Sequence, residues 1–162
     1  MISYSDHTLA QYLDELSRRQ PVPGGGSAAA LSGAMGAALI AMSGRYALGK
    51  GKSAAVEQEI AAIITQVDAA RLEFVALAGR DAEAYQNVLR TRKAGDPQAQ
   101  AKALAEAGCV PCEVIALCEA CLQQAPYLYR EGNPFLKSDV KAAEAFLRAG
   151  IEAARAMQEA NA

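Results

Sequence analysis

Tryptophan is absent from this 162-residue chain, aromatic residues of all kinds make up only 6%, and histidine occurs once, as His7. His7 stands ahead of the first helical pattern, where an exposed imidazole is more often incidental than catalytic. Charge of one sign is also lacking. A formal net charge of -2 gives no electrostatic reason to expect a nucleic-acid partner. No secretory leader opens the chain, because Met1 to Gln20 carries Asp6, Asp14, Glu15, Arg18 and Arg19 and no apolar run. The one long uncharged stretch, Ser27 to Gly44, is built of Ala, Gly and Ser, whose transfer to lipid is weak. It reads as a buried core helix, so no membrane partner is expected.

What is present is ordinary globular usage, 52% apolar and 21% charged, in a length suited to one domain spanning residues 1–162. Alanine carries much of the apolar share. Alanine-faced helices pack closely but bury little area per residue, and oligomerisation is a natural way to recover the shortfall.

The pattern is helical between four breaks. A first helix is expected from about Thr8 to Arg19, with Leu9, Tyr12, Leu13 and Leu16 at helical spacing and Thr8 and Gln11 able to form a capping box. After Pro21 to Gly26, a second runs from about Ser27 to Leu48. Its Ala29, Gly33, Ala37 and Ala41 form a small-residue stripe that admits another helix closely. A third, from about Ser53 to Lys93, stops at Gly95. Asp96-Pro97 restarts the chain as a cap followed by proline at the first helical position. The fourth is expected from Pro97 to Tyr129 with a kink at Pro111. Gly132-Asn133-Pro134 breaks it, and Ser138 can cap a last helix with Asp139 set favourably against the dipole. No alternating strand pattern exists. The fold class is all-α, a bundle of about five helices, two of them long.

Pro21-Val22-Pro23-Gly24-Gly25-Gly26-Ser27 is the segment where chemistry can sit. Three glycines at a helix start leave backbone N–H groups unobstructed, and such an end binds carboxylate or phosphate. The spacing is not that of a nucleotide P-loop, since no Gly-Lys-Ser/Thr follows, and no strand precedes it as a dinucleotide fingerprint requires. A plain linker is the competing reading, and the two prolines argue for a fixed shape.

Pro-x-Pro-Gly-Gly-Gly-Ser-x-x-Ala opening a small-residue helix resembles the formiminotetrahydrofolate cyclodeaminase and methenyltetrahydrofolate cyclohydrolase family. Gly49-Lys50, Asp81-Ala82-Glu83-Ala84-Tyr85, Val110-Pro111, Gly132-Asn133-Pro134 and Ser138-Asp139 are similar to further family segments in the same order, and Asn161 falls where a late asparagine would lie. The resemblance implies a cytoplasmic one-carbon folate enzyme, a homodimer or higher homo-oligomer, acting on a tetrahydrofolate derivative without metal or other cofactor. It implies hydrolysis of 5,10-methenyltetrahydrofolate to 10-formyltetrahydrofolate, with ammonia-releasing cyclodeamination of formiminotetrahydrofolate as the close alternative. An inactive folate-binding or subunit-bridging module is the alternative of another class.

Asp81 matches the family's acidic residue on the long helix and is the catalytic candidate, its pKa raised by partial burial. Pro23, Gly24, Gly25, Gly26 and Ser27 are the candidate floor of the substrate site, with Lys50, Ser138 and Asp139 as further binding residues. Lys52 is a weaker candidate, and Glu83 reads as a solvent-facing helix residue. The chain departs from the family pattern at Met157, where an asparagine is expected, and at Arg45, where a small or polar residue is expected. It also has no clear counterpart to an arginine before Val-Pro, and it ends without the family's further helix.

Cys109, Cys112, Cys118 and Cys121 form two CxxC pairs within thirteen residues. The five residues between the pairs are too few for a zinc-ribbon loop. At about 100° per residue on one helix, the two pairs face nearly opposite sides. They read as small apolar residues in a reducing compartment.

Overall fold

The computed structural model describes residues 2–160, and Asn161 lies outside them. Six α-helices and one 3-10 turn occur among the described residues, with no strand. They are α1 (Leu9–Leu16), α2 (Gly25–Arg45), α3 (Ala54–Ala94), α4 (Pro97–Leu122), α5 (Ala125–Glu131) and α6 (Lys137–Ala160), with the 3-10 turn at Pro134–Leu136. The all-α reading holds.

Local chemistry sets the helix starts. Thr8 and Gln11 form the reciprocal capping box of α1, the Ser53 hydroxyl caps α3, and Asp96 accepts from the N–H groups of Gln98 and Ala99 ahead of Pro97. Gly95 ends α3 in the left-handed region at φ 71°, a conformation that glycine adopts without strain.

Several boundaries differ from expectation, among them the end of α2, at Arg45 where Leu48 was expected. α1 stops at Leu16, short of Arg19, and α2 starts at Gly25 because two of the three glycines are helical. The segment expected as one helix from Pro97 to Tyr129 is two. Pro111 sits buried within α4 without ending it, whereas Pro126 has no N–H to donate to Leu122, and α4 ends there. The sixth helix arises from that division. Ser138 is not a cap: α6 begins at Lys137, straight from the 3-10 turn, which Asn133 caps by accepting from the Phe135 N–H at 3.0 Å. The Ser138 hydroxyl instead donates to Asp139 at 3.4 Å. Asp139 does stand in the first turn, where its charge suits the dipole.

α2 is the centre of the bundle, packed mainly against α3 and α6. Ala29, Gly33, Ala37 and Ala41 are all buried, as the small-residue stripe requires. Phe74 of α3 fills the space where a side chain on Gly33 would stand, and a Cβ on Gly36 would lie 2.6 Å from Leu147 Cγ of α6. The core helices therefore approach as closely as glycine permits. α2 is long and apolar enough to cross a membrane, but its buried half is the middle of this core. α6 runs antiparallel to α2: Leu147 faces Gly36, Gly150 faces Ala29 and Gly33, and Met157 reaches Gly25.

Candidate active site

Asp81 lies two-thirds of the way along α3, and its half-buried carboxylate rests on the first turn of α2. A side chain on Gly26 would overlap that carboxylate, so glycine is required there for a packing reason. The Asp81 carboxylate packs against the turn that carries the Ser27 N–H. The turn opened by the glycine loop is thus met by an acid supplied by the chain itself. Burial raises the Asp81 pKa above the ordinary carboxylate value, and the Ser27 N–H opposes that rise by favouring the ionised form. A carboxylate held between those influences is placed to take and return a proton.

Ser27 is fully buried, and its hydroxyl shares a hydrogen bond of 3.0 Å with the Tyr12 phenol of α1. Burial pushes the Tyr12 phenol up, the bond to Ser27 pulls it down, and the Asp81 carboxylate pushes it up again. Tyr4 packs edge-on against Tyr12, with centroids 5.2 Å apart, and is pushed up to about 12, chiefly by burial. In the loop, Pro23 is buried, Gly24 caps α2 through its backbone, and Gly25 stays exposed at the foot of Met157.

Two hollows lie near this centre, lined by neighbours of Asp81 and Ser27 and by neither of the two themselves. One of about 730 Å³ is lined by Tyr4, His7, Tyr12, Leu31 and Leu72. The other, of about 860 Å³, is lined by Asn87, Arg90, Glu106 and Val110. Ile2, Arg80 and Glu83 line both. Arg80 holds Glu113 of α4 through two bonds of 2.7 Å, which fix the wall between them. Glu83 does not point freely to solvent, since it accepts from the Ile2 N–H.

The remaining sequence candidates lie elsewhere. Lys50 and Lys52 border a shallow hollow of about 430 Å³ with Tyr46, Asn133 and Phe135. Ser138 and Asp139 follow on the first turn of α6. These groups lie beyond the C-terminal end of α2, whereas Asp81 sits at its N-terminal end. Twenty-one residues at about 1.5 Å rise put the two ends roughly 30 Å apart. The structure brings Asp81 together with Gly26, Ser27 and the rest of the glycine loop. It does not bring Lys50, Ser138 or Asp139 to them within one chain.

Tyr12, Tyr4 and Arg80 were not singled out by sequence. Tyr12 reads as one apolar member of a helical stripe, and the available signal was its hydroxyl, which a buried position obliges to find a partner. Of the departures from the family pattern, Met157 puts its thioether against Gly25, and Arg45 pairs with Asp68 on the surface. Cys118 and Cys121 are buried while Cys109 and Cys112 are exposed, as opposite faces demand. No group of three or more potential metal ligands occurs among the described residues.

Comparison with known proteins places this geometry. A model of the formiminotransferase-cyclodeaminase family matches residues 8–162. A methenyltetrahydrofolate cyclohydrolase of Methylorubrum extorquens is 30% identical over 92% of this chain and 76% of its own length. A formimidoyltransferase-cyclodeaminase of Dictyostelium discoideum is 30% identical over 86% of this chain, which spans 27% of that longer protein. The crystal structure of a formiminotetrahydrofolate cyclodeaminase from Thermotoga maritima superposes with a TM-score of 0.91 at 30% identity, covering 95% of this chain and 77% of the other. The chain therefore belongs to the formiminotransferase-cyclodeaminase family.

Proposed function

We propose that this protein is a one-carbon folate enzyme that hydrolyses 5,10-methenyltetrahydrofolate to 10-formyltetrahydrofolate, with Asp81 as general base. The observation that carries the reading is the half-buried Asp81 carboxylate on the first turn of α2, its pKa raised by burial, with its chain neighbours Arg80 and Glu83 lining two hollows of substrate size. The methenyl carbon is already a cationic electrophile between two nitrogens, so water needs only a base to add to it. Asp81 accepts a proton from the water as its oxygen bonds to that carbon. The tetrahedral carbon then loses N5, which takes the proton back from Asp81, and the hydroxyl proton leaves to solvent as the formyl group forms on N10. One water is consumed and one proton released. Neither a metal nor a redox cofactor enters this sequence.

Cyclodeamination is the second reading, favoured by the likeness to the Thermotoga maritima cyclodeaminase. There N10 attacks the formimino carbon of formiminotetrahydrofolate, and ammonia leaves after protonation. Both reactions pass through a tetrahedral carbon beside a proton-transfer group, so one site serves either. The two are separated by incubating the pure protein with each substrate. Loss of the methenyl absorbance supports hydrolysis, and ammonia release supports cyclodeamination.

The working unit in this reading is a homodimer. Lys50, Ser138 and Asp139 are proposed to bind substrate, and they stand at the wrong end of their own chain to meet Asp81. Two copies side by side and antiparallel put the lysine end of one beside the Asp81 end of the other. The exposed Leu9 and Leu72, at 72% and 62%, give such a dimer apolar surface to cover. Lys50 would then meet the glutamate carboxylates of the folate, and the Pro23–Ser27 loop would form the floor beneath its reacting end. We place the protein in the cytoplasm, with neither nucleic acid nor membrane as a partner, consistent with its four free thiols and small net charge.

A further inference from the structure

We propose that Tyr12 is a positioning residue for Asp81, acting through Ser27. Ser27 belongs to the first turn of α2 and stands between Tyr12 and Asp81. Its side chain meets the Tyr12 hydroxyl at 3.0 Å, and the Asp81 carboxylate packs against the same turn at Gly26, where the Ser27 backbone N–H favours its charged form. Tyr12 is 5% exposed, and the edge-on Tyr4 ring holds its own ring in place. The apolar part of the Tyr12 ring fills the space between α1 and α2 without help from the oxygen, so phenylalanine would pack there equally well. What the hydroxyl adds is a tether on the turn whose amide orients Asp81. Gly26 completes the arrangement by leaving room for the carboxylate.

The groups able to titrate around Asp81 are few. The N-terminal segment and α1 contribute Tyr4 and Tyr12, with His7 and Glu15 paired at 3.3 Å beyond Tyr4. Along α3 its neighbours are Arg80 and Glu83, and α4 sets Glu113 and Cys109 against Arg80. α2 and α6 present Gly25, Gly26, Ser27 and Met157, none of which carries charge.

The kinetic part of this proposal rests on the folate reading above, and the structural part does not. The test uses full-length Tyr12→Phe, Ser27→Ala and the double variant, each checked for native helicity by circular dichroism. In wild type and variants the Asp81 carboxyl carbon is followed by NMR against pH. A loosened Ser27 amide favours the carboxylate less, so Tyr12→Phe raises the Asp81 midpoint by about half a pH unit. The acid limb of kcat/KM for methenyltetrahydrofolate moves upward with it. At neutral pH kcat falls about fivefold while KM is unchanged, the split expected when positioning and not binding is lost. Because both residues act along one path, the double variant is no worse than either single one. An unmoved Asp81 midpoint in folded Tyr12→Phe, or effects that multiply in the double variant, overturns the proposal. If the wild type turns over neither folate, the functional reading fails, and the NMR titration still decides whether Tyr12 positions the carboxylate.

Discussion

The carboxylate of Asp81 occupies the space in which a side chain on Gly26 would stand. Two residues far apart in sequence are thereby fitted to one another, an acid on a long helix and a missing Cβ on the first turn of the core helix. The glycine loop, which by itself reads as an anion site, is partly satisfied by this internal anion.

Gly26→Ala follows directly from that contact. The methyl group must displace Asp81 or shift α2, an overpacking that costs about 1–3 kcal/mol. Urea denaturation measures the loss, and kcat/KM for the folate substrate falls with it because the displaced group is the proposed base. Full stability and activity in Gly26→Ala would contradict the fitted pair.

Stability against pH tests the environment of Asp81. Its folded pKa is raised, so the folded chain holds a proton that the unfolded chain has already released in the window just above the ordinary value of 3.8. Stability is therefore lost as pH rises through that window. Asp81→Asn keeps an acceptor for the Ser27 N–H and never ionises. It is expected to be more stable than wild type at neutral pH, with the difference disappearing in acid. Denaturation midpoints across pH check the sign, and an Asn variant less stable at neutral pH would show that the carboxylate is held by more than Ser27.

How much of this was legible in the sequence depends on the range of the forces involved. Thr8, Ser53, Asp96 and Gly95 act within a few residues, so the helix limits they set were readable. The Ala29 to Ala41 stripe announced close packing but not that Phe74 and Leu147 fill the space facing its helix. Ser138 was misplaced as a cap because Asn133, five residues earlier, had already begun the turn that leads into α6. Asp81 was legible through its matched segment, whereas its seat on Gly26 is a tertiary fit that no local pattern reveals. The order of Lys50 and Ser138 along the chain gave no hint that α6 runs back along α2 and leaves them at the far end.

That separation makes its own prediction. Lys50 is exposed at the end opposite Asp81, so in the proposed two-chain site Lys50→Ala weakens substrate binding without touching proton transfer. KM is expected to rise about tenfold with kcat nearly unchanged. Sedimentation should report a dimer for both proteins. An unchanged KM would remove Lys50 from the site, and a fully active monomer would remove the two-chain arrangement.

The cysteines offer an independent check of α4. Burial pushes Cys118 up to about 12 and Cys121 up to about 11, while Cys109 and Cys112 face solvent. Iodoacetamide on the native protein is expected to alkylate Cys109 and Cys112 and to reach Cys118 and Cys121 only after unfolding. Peptide mass mapping reads the pattern, and native labelling of Cys118 would contradict the packing of α4 against the core.

The most direct test of the central claim is the rate at which the methenyltetrahydrofolate absorbance decays with wild type, with Asp81→Asn and with buffer alone. Asp81 as general base predicts clear acceleration by the wild type and a loss of about 100-fold or more in kcat/KM for the folded Asn variant. Equal rates for wild type and Asp81→Asn, both above buffer, would contradict it.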